Sequence, residues 1–233
     1  MMYPFFFDPT FMLLIPAMLL AFWAQMKVKS SFARFSRVAS RRGVTGAEAA
    51  RALLDRQGLS DVPVRRVAGN LSDHYDPRDR TLHLSDSVYA STSIAAIGVA
   101  AHEVGHAVQH LQSYAPLKIR NAIVPVVNIG SGLAFPLFFI GLLMRTPMLM
   151  DLGILFFLGV IVFHLVTLPT EFDASARALR LLSDTQILGG DEIGGARSVL
   201  NAAALTYVAA SVMAVAQLLR LVLLRGMVGG RND

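Results

Sequence analysis

Cysteine is absent from this 233-residue sequence. That excludes disulfides and thiolate metal sites and leaves any bound metal to histidine and carboxylate ligands. Charge is sparse as well: Asp, Glu, Lys and Arg make up 16% of the chain, against 54% hydrophobic residues, and the mean hydropathy is +0.53. Soluble domains carry about 25% charged residues, so the balance points to an integral membrane protein. Acidic residues are the scarcer sign, and the net charge is +5. The basic residues gather beside apolar runs instead of lining a groove with aromatics, which argues against a nucleic-acid partner. Internal repeats, coiled-coil heptads and low-complexity segments are also missing.

What the chain does have is four apolar runs. The first, residues 11–26, is short for a span, and Phe5–Phe7 extend it. No Lys or Arg precedes it, so it lacks the basic start of a secretory signal and reads as a retained anchor with Trp23 at the interface. Lys27, Lys29, Arg34, Arg37, Arg41 and Arg42 follow with no acidic residue among them. Such a flank marks the cytoplasmic side. The other runs are 122–144, 152–168 and 202–224. The second contains Pro125, Asn128, Gly130, Ser131, Gly132 and Pro136, residues expected where helices pack or kink. Lys118 and Arg120 precede it, and Arg177 and Arg180 follow the third run. The bias puts 27–120 and 170–201 in the cytoplasm and both termini outside, with Arg225 and Arg231 opposing mildly. The organisation expected is a 1–26 anchor, a 27–120 lobe, a 121–168 transmembrane hairpin, a 169–201 cytoplasmic segment and a 202–233 last span with its tail.

Between the first two spans the pattern predicts a small α+β lobe. Thr45-Gly46-Ala47-Glu48 has the form of a capping box opening a helix, with Gly58 as its stop. Residues 62–67 and 81–84 read as strands, the second as an edge strand able to pair with extended substrate, with His83 exposed on it. Residues 70–77 read as turn. Ser85 or Asp86, and then Thr92 or Ser93, are placed to cap the next helices. The fold class is therefore mainly α and membrane-embedded, with about four transmembrane helices and a small cytoplasmic α+β lobe.

The last lobe helix carries His102-Glu103-Val104-Gly105-His106. Its histidines stand one turn apart on one face, where two imidazoles can bind one Zn²⁺. Glu103 sits beside the first of them, placed to take a proton from water activated by the ion. A catalytic zinc needs a third protein ligand and an open position. His110 lies about 6 Å beyond His106 along the axis and about 12 Å beyond His102, too far to share the ion. Glu171 follows the third span on the predicted side of the membrane. Pro169 is expected to break the helix and Thr170 to cap a new one, placing Glu171 in a first turn. Beside the histidine pair, Glu171 is the better third ligand. His164, seven residues earlier, shares its helix face and is a functional or packing residue inside the span.

Four blocks then carry a resemblance: Asp73-His74-Tyr75-Asp76-Pro77, Ala100-Ala101-His102-Glu103-Val104-Gly105-His106-Ala107, Leu168-Pro169-Thr170-Glu171-Phe172-Asp173-Ala174-Ser175 and Thr206-Tyr207-Val208-Ala209-Ala210. In this order they resemble the YugP-type neutral zinc metallopeptidases of bacterial membranes, and the likeness covers nearly the whole chain. It is also distantly similar to the HtpX-like membrane peptidases. The resemblance implies a zincin-like lobe with a gluzincin-like site: His102, His106 and Glu171 as metal ligands, and Glu103 as the catalytic base. In HtpX-like chains an Asp stands at the position of Ser175. The group that orients a ligand imidazole is therefore open, with Asp173 a candidate. His74 and Tyr207 are candidate oxyanion donors or structural residues.

The function expected is a zinc-dependent endopeptidase of the bacterial cytoplasmic membrane. It would be multi-pass, with its site facing the cytoplasm between lobe and bundle, acting on membrane-associated protein or peptide. A regulatory membrane partner or a homo-oligomer is compatible with the small-residue spans. Two rivals stand beside it. A site-2 type intramembrane protease would use residues 94–101 as part of a span, but that run is too short and an Asp-Gly ligand motif is missing. A non-catalytic adaptor with structural zinc would close the site with a fourth ligand, Asp173 or His110.

Overall fold

A computed structural model describes residues 9–229. Phe5–Phe7 and Arg231 lie outside the described residues. A 3-10 turn, Pro9–Leu13, leads into α1 (Leu14–Phe35), followed by α2 (Gly46–Arg56), β1 (Val64–Val67), β2 (His74–Asp76) and β3 (Thr81–Ser85). Then come α3 (Asp86–Tyr89), α4 (Ile94–Leu111), α5 (Ala115–Leu143), α6 (Pro147–Asp184) and α7 (Gly190–Gly229). The protein is mainly α with one small sheet. By contacts the chain divides into two units: residues 1–24, 119–168 and 206–233 in one, and 25–118 with 169–205 in the other.

The first unit holds the apolar helices. The helices Pro9–Phe35, Ala115–Leu143, Pro147–Asp184 and Gly190–Met227 are long and apolar enough to cross a membrane. Their surfaces expose large side chains that water would penalise, Phe22, Val126, Ile129 and Leu143 among them. Inside, Ala134, Phe138, Met150, Phe157 and Leu221 form a buried cluster. Glycines set the spacing there: a Cβ on Gly153 would meet the Ala134 carbonyl oxygen at 2.7 Å, and one on Gly141 the Met150 nitrogen at 2.7 Å. Small residues thus do mark close helix packing, though Gly132 has nothing within 4 Å. Arg225 and Asp151 pair through two contacts of 2.8 and 2.9 Å.

The second unit is the α+β lobe. Thr45 accepts from Glu48 N–H at 3.2 Å, and the Glu48 carboxylate accepts from the Thr45 backbone at 2.7 Å, closing the capping box. Gly58 follows the helix with φ +73°, the left-handed stop that glycine adopts without penalty. The apolar face of α2, with Leu53 and Leu54 fully buried, packs with Leu82 and Leu84 of β3 and Ile97 and Val104 of α4 in one core. Ser93 caps α4, its hydroxyl accepting from Ala96 N–H at 3.2 Å.

Several expectations are corrected. The strand order is β1-β3-β2, with β3 parallel to β1 and antiparallel to β2. β3 therefore has both edges paired and cannot take up a substrate strand; the open edges belong to β1 and β2. The reason is that residues 74–76, read as turn, form the third strand. His83 is correspondingly not exposed: it stacks on His74 at 4.7 Å, and its Nδ1 is buried. Pro169 does not break the helix, because α6 runs through it from Pro147 to Asp184 and places Glu171 in mid-helix. Loss of one backbone donor is tolerated where packing holds the rest. The segment 170–201 consists of the end of α6, a short connection and the start of α7. Gly195 lies buried within α7, where a Cβ would meet the Phe35 ring at 2.9 Å.

Candidate metal centre

All the donors of the candidate site lie in the lobe. α4 supplies His102 and His106 one turn apart, as 3.6 residues per turn requires, and their rings meet edge to face at 4.7 Å. The lobe end of α6 supplies Glu171. Two features bring the helices together. Gly105 has no side chain, so Ala174 of α6 approaches its Cα closely; a Cβ there would stand 2.5 Å from the Ala174 carbonyl oxygen. Gln109, fully buried, donates from Nε2 to the Thr170 carbonyl and to Asp173 Oδ2, both at 2.8 Å.

Glu171 Oε2 lies 3.3 Å from His102 Nε2 and 3.7 Å from His106 Nε2. The three ligand atoms all fall within 4.8 Å of one another. Tetrahedral ligands at about 2.0–2.1 Å stand about 3.3–3.4 Å apart, so the spacing suits one ion. His102, His106 and Glu171 are thus positioned to bind a metal ion. The tautomers suit it too. Because the Gln109 nitrogen is spent on two acceptors, its carbonyl oxygen faces His106 Nδ1 at 3.0 Å, and that nitrogen must carry the hydrogen. His106 Nε2 is left as the nitrogen turned to Glu171. His102 Nδ1 lies 3.1 Å from the Ser175 hydroxyl, which can accept from it and hold the second ring in the same sense. Burial pushes the His106 imidazole down, but Glu171 and the Glu103 charge outweigh it and hold it above its ordinary value. The site therefore favours positive charge at this nitrogen.

Glu103 is buried on the same helix, and its Oε2 accepts from the Tyr75 backbone N–H of β2 at 3.1 Å. Tyr75 also places its hydroxyl 2.9 Å from His110 Nδ1. His110 is accordingly engaged with Tyr75 and is not gathered with the other two histidines. Asp173 is held by Gln109 and by Arg177 Nε, whose Nη1 donates to Gln112 at 2.6 Å. Asp173 reaches His106 through Gln109, and Ser175 itself holds His102. His74 stacks on His83 and donates to the Ser72 carbonyl. His164 and Tyr207 belong to the helical unit.

Gln109, Arg177 and the Tyr75 amide were not singled out by sequence. The signal for Gln109 was there: a lone amide three residues after a ligand, in an apolar helix. The Tyr75 amide is a backbone group and leaves no such mark. Beside these residues a cavity of about 300 Å³ is lined by Leu59, Tyr75, Arg80, Ala107, His110 and Leu111.

A family described as "Putative neutral zinc metallopeptidase" matches residues 10–226. The chain belongs to this family. It is also 49% identical over 221 residues to the "Putative membrane protease YugP" of Bacillus subtilis (strain 168), covering 95% of this chain and 97% of that one. No solved structure matches. The protein is thus a membrane protein of a zinc peptidase family, and His102, His106 and Glu171 are the residues placed to hold the metal.

Proposed function

We propose that the protein is a multi-pass membrane zinc endopeptidase whose site faces the bacterial cytoplasm and cleaves membrane-associated proteins or peptides. One observation carries this reading: a His-His-Glu donor set beside a buried glutamate, with both imidazoles held through Nδ1 so that both Nε2 atoms face Glu171. Zn²⁺, when bound, supplies Lewis acidity that brings the pKa of water toward ~7 and polarises a carbonyl. The chain's own residues do the rest. His102, His106 and Glu171 orient the ion. Glu103, held at Oε2 by the Tyr75 amide, keeps its other oxygen to accept a proton from water and return it to the leaving amine. The cavity of about 300 Å³, which shares Tyr75 with the Glu103 contact, offers Leu59, Ala107 and Leu111 together with Arg80 and His110 to a substrate side chain.

The orientation rests on charge and on grouping. The basic flank after residue 26 favours the cytoplasm. Residues 25–118 and 169–205 fold as one unit, which supports a shared membrane side. The adaptor reading is disfavoured because its fourth ligands are spent elsewhere, Asp173 on Gln109 and Arg177, His110 on Tyr75. A site-2 type protease is disfavoured because α4 packs within the lobe core. Purified Glu103→Gln decides the matter: zinc is retained while peptide cleavage is lost. Unchanged cleavage would overturn the mechanism, and a zinc-loaded wild type that cleaves nothing would favour the adaptor. Glu171→Ala should separately lose the metal.

A further inference from the structure

A second cavity, of about 430 Å³, lies in the lobe between residues 27–35 of α1 and 198–205 of α7. Its polar lining is Lys27, Ser30, Ser31, Arg34, Ser198 and Asn201. Lys27 and Arg34 are seven residues apart, two turns on one face of α1, about 10 Å along the axis. Long side chains at that spacing can close on one small anion from both ends. Among the described residues no carboxylate pairs with either cation, and Arg34 lies over the Phe35 ring at 5.2 Å. The acidic residues at the start of α7 are spent on another cation: Arg41 pairs with Asp191, and its backbone N–H donates to Glu192 at 2.8 Å. Ser31 and Asn201 have no hydrogen-bond partner among the described residues and can donate into the cavity. Ser30 and Ser198 already donate to the Lys27 and Gly194 carbonyls.

Position adds the second constraint. α1 enters the lobe after Ala24 and α7 leaves it after Leu205. The cavity thus lies within a few residues of both apolar spans, at the depth where headgroups begin. Ala202 and Leu205 give it an apolar wall at that end. A free anion needs no such wall, whereas a lipid phosphate tethered to acyl chains does. We propose that this cavity binds the phosphodiester headgroup of an anionic phospholipid, with Lys27 and Arg34 on the phosphate and Ser31 and Asn201 donating to its oxygens.

The test is native mass spectrometry of the full chain released from micelles doped with palmitoyl-oleoyl-phosphatidylglycerol or the matching phosphatidylcholine. One phosphatidylglycerol should stay bound and phosphatidylcholine should not. The Lys27→Gln, Arg34→Gln double variant should lower retention about 25-fold, at about fivefold per cation near a charged membrane surface. Asn201→Asp, which sets a carboxylate in the cavity and leaves the basic flank intact, should lower it too. The Arg37→Gln, Arg42→Gln double variant removes the same charge outside the cavity and should retain the lipid. Equal loss in both double variants would overturn the proposal in favour of diffuse attraction. So would equal retention of the two lipids, or displacement of phosphatidylglycerol by millimolar inorganic phosphate, which would mark a free-anion site. Zinc content, measured alongside, should stay at the wild-type level in every variant.

Discussion

The side-chain oxygen of Gln109 faces His106 Nδ1 at 3.0 Å, and its nitrogen is committed to Thr170 and Asp173. An amide cannot flip without setting donor against donor, so Nδ1 of the His106 ring carries the hydrogen and Nε2 is the nitrogen offered to a metal. Asp173 is in turn held by Arg177, which makes the arrangement a chain of four residues ending on a metal donor.

Removing an outer partner of a ligating imidazole costs about 10–100-fold in metal affinity. Gln109→Leu should therefore weaken zinc binding by that order, measured by competition with a chromophoric chelator. Gln109→Glu combined with Asp173→Asn keeps an acceptor for the His106 N–H, avoids facing two carboxylates at 2.8 Å, and should bind zinc more tightly than the leucine variant. Equal affinities for the two would show that packing, not the tautomer, is what Gln109 supplies.

Gly105→Ala tests the approach of α4 to α6. The new Cβ would stand 2.5 Å from the Ala174 carbonyl, a backbone atom that cannot swing aside. Overpacking costs about 1–3 kcal/mol, and the same displacement carries Glu171 away from the histidines. Lower thermal stability and a fall in zinc affinity are expected together. Gly194→Ala is the contrast: it sits in helix α7 with nothing within 4 Å, so alanine should be neutral or stabilise by up to about 1 kcal/mol. Comparable melting temperatures for the two variants would contradict the close approach.

What could be read in the residues followed from local rules. The capping box at Thr45, the stop at Gly58 and the histidine spacing on α4 each depend on neighbours within one or two turns. The apolar runs announced the long helices for the same reason. The errors came where distant residues decide. Whether β3 is an edge or a centre depends on β2, a three-residue strand with no alternation long enough to detect. Pro169 reads locally as a helix break, but α6 packs at its lobe end against Gly105 and Gln109 and stays continuous through it. The Ser175 contact to His102 spans 73 residues, and the Gln109 contacts to Thr170 and Asp173 span 61 and 64; these are tertiary and have no local signature.

Ser175→Ala removes the acceptor for His102 Nδ1 and should weaken zinc binding within the same 10–100-fold range. Ser175 and Gln109 hold different rings and share no hydrogen bond. The two rings nevertheless touch at 4.7 Å and serve one donor set, so the substitutions should depart from additivity by about 0.5–3 kcal/mol. A double variant no weaker than Gln109→Leu alone would mean that one ring is already lost in the single variant.

The capping box offers a test of the lobe away from the metal. Thr45→Ala should destabilise by about 1 kcal/mol, seen as a lower melting temperature with zinc affinity per folded protein unchanged. The effect should depend on pH. The Thr45 backbone N–H and then its hydroxyl hold the Glu48 carboxyl below its ordinary value. A depressed carboxyl adds stability above its unfolded value, about 4.3, and loses it as pH falls through the folded one. The hydroxyl part of that contribution disappears with Thr45→Ala, so the gap between wild type and variant should narrow from pH 7 to pH 3. It should not close, because the Thr45 oxygen still accepts from Glu48 N–H at any pH. A gap that widens toward low pH would contradict the assignment of the ionised Glu48 to this box.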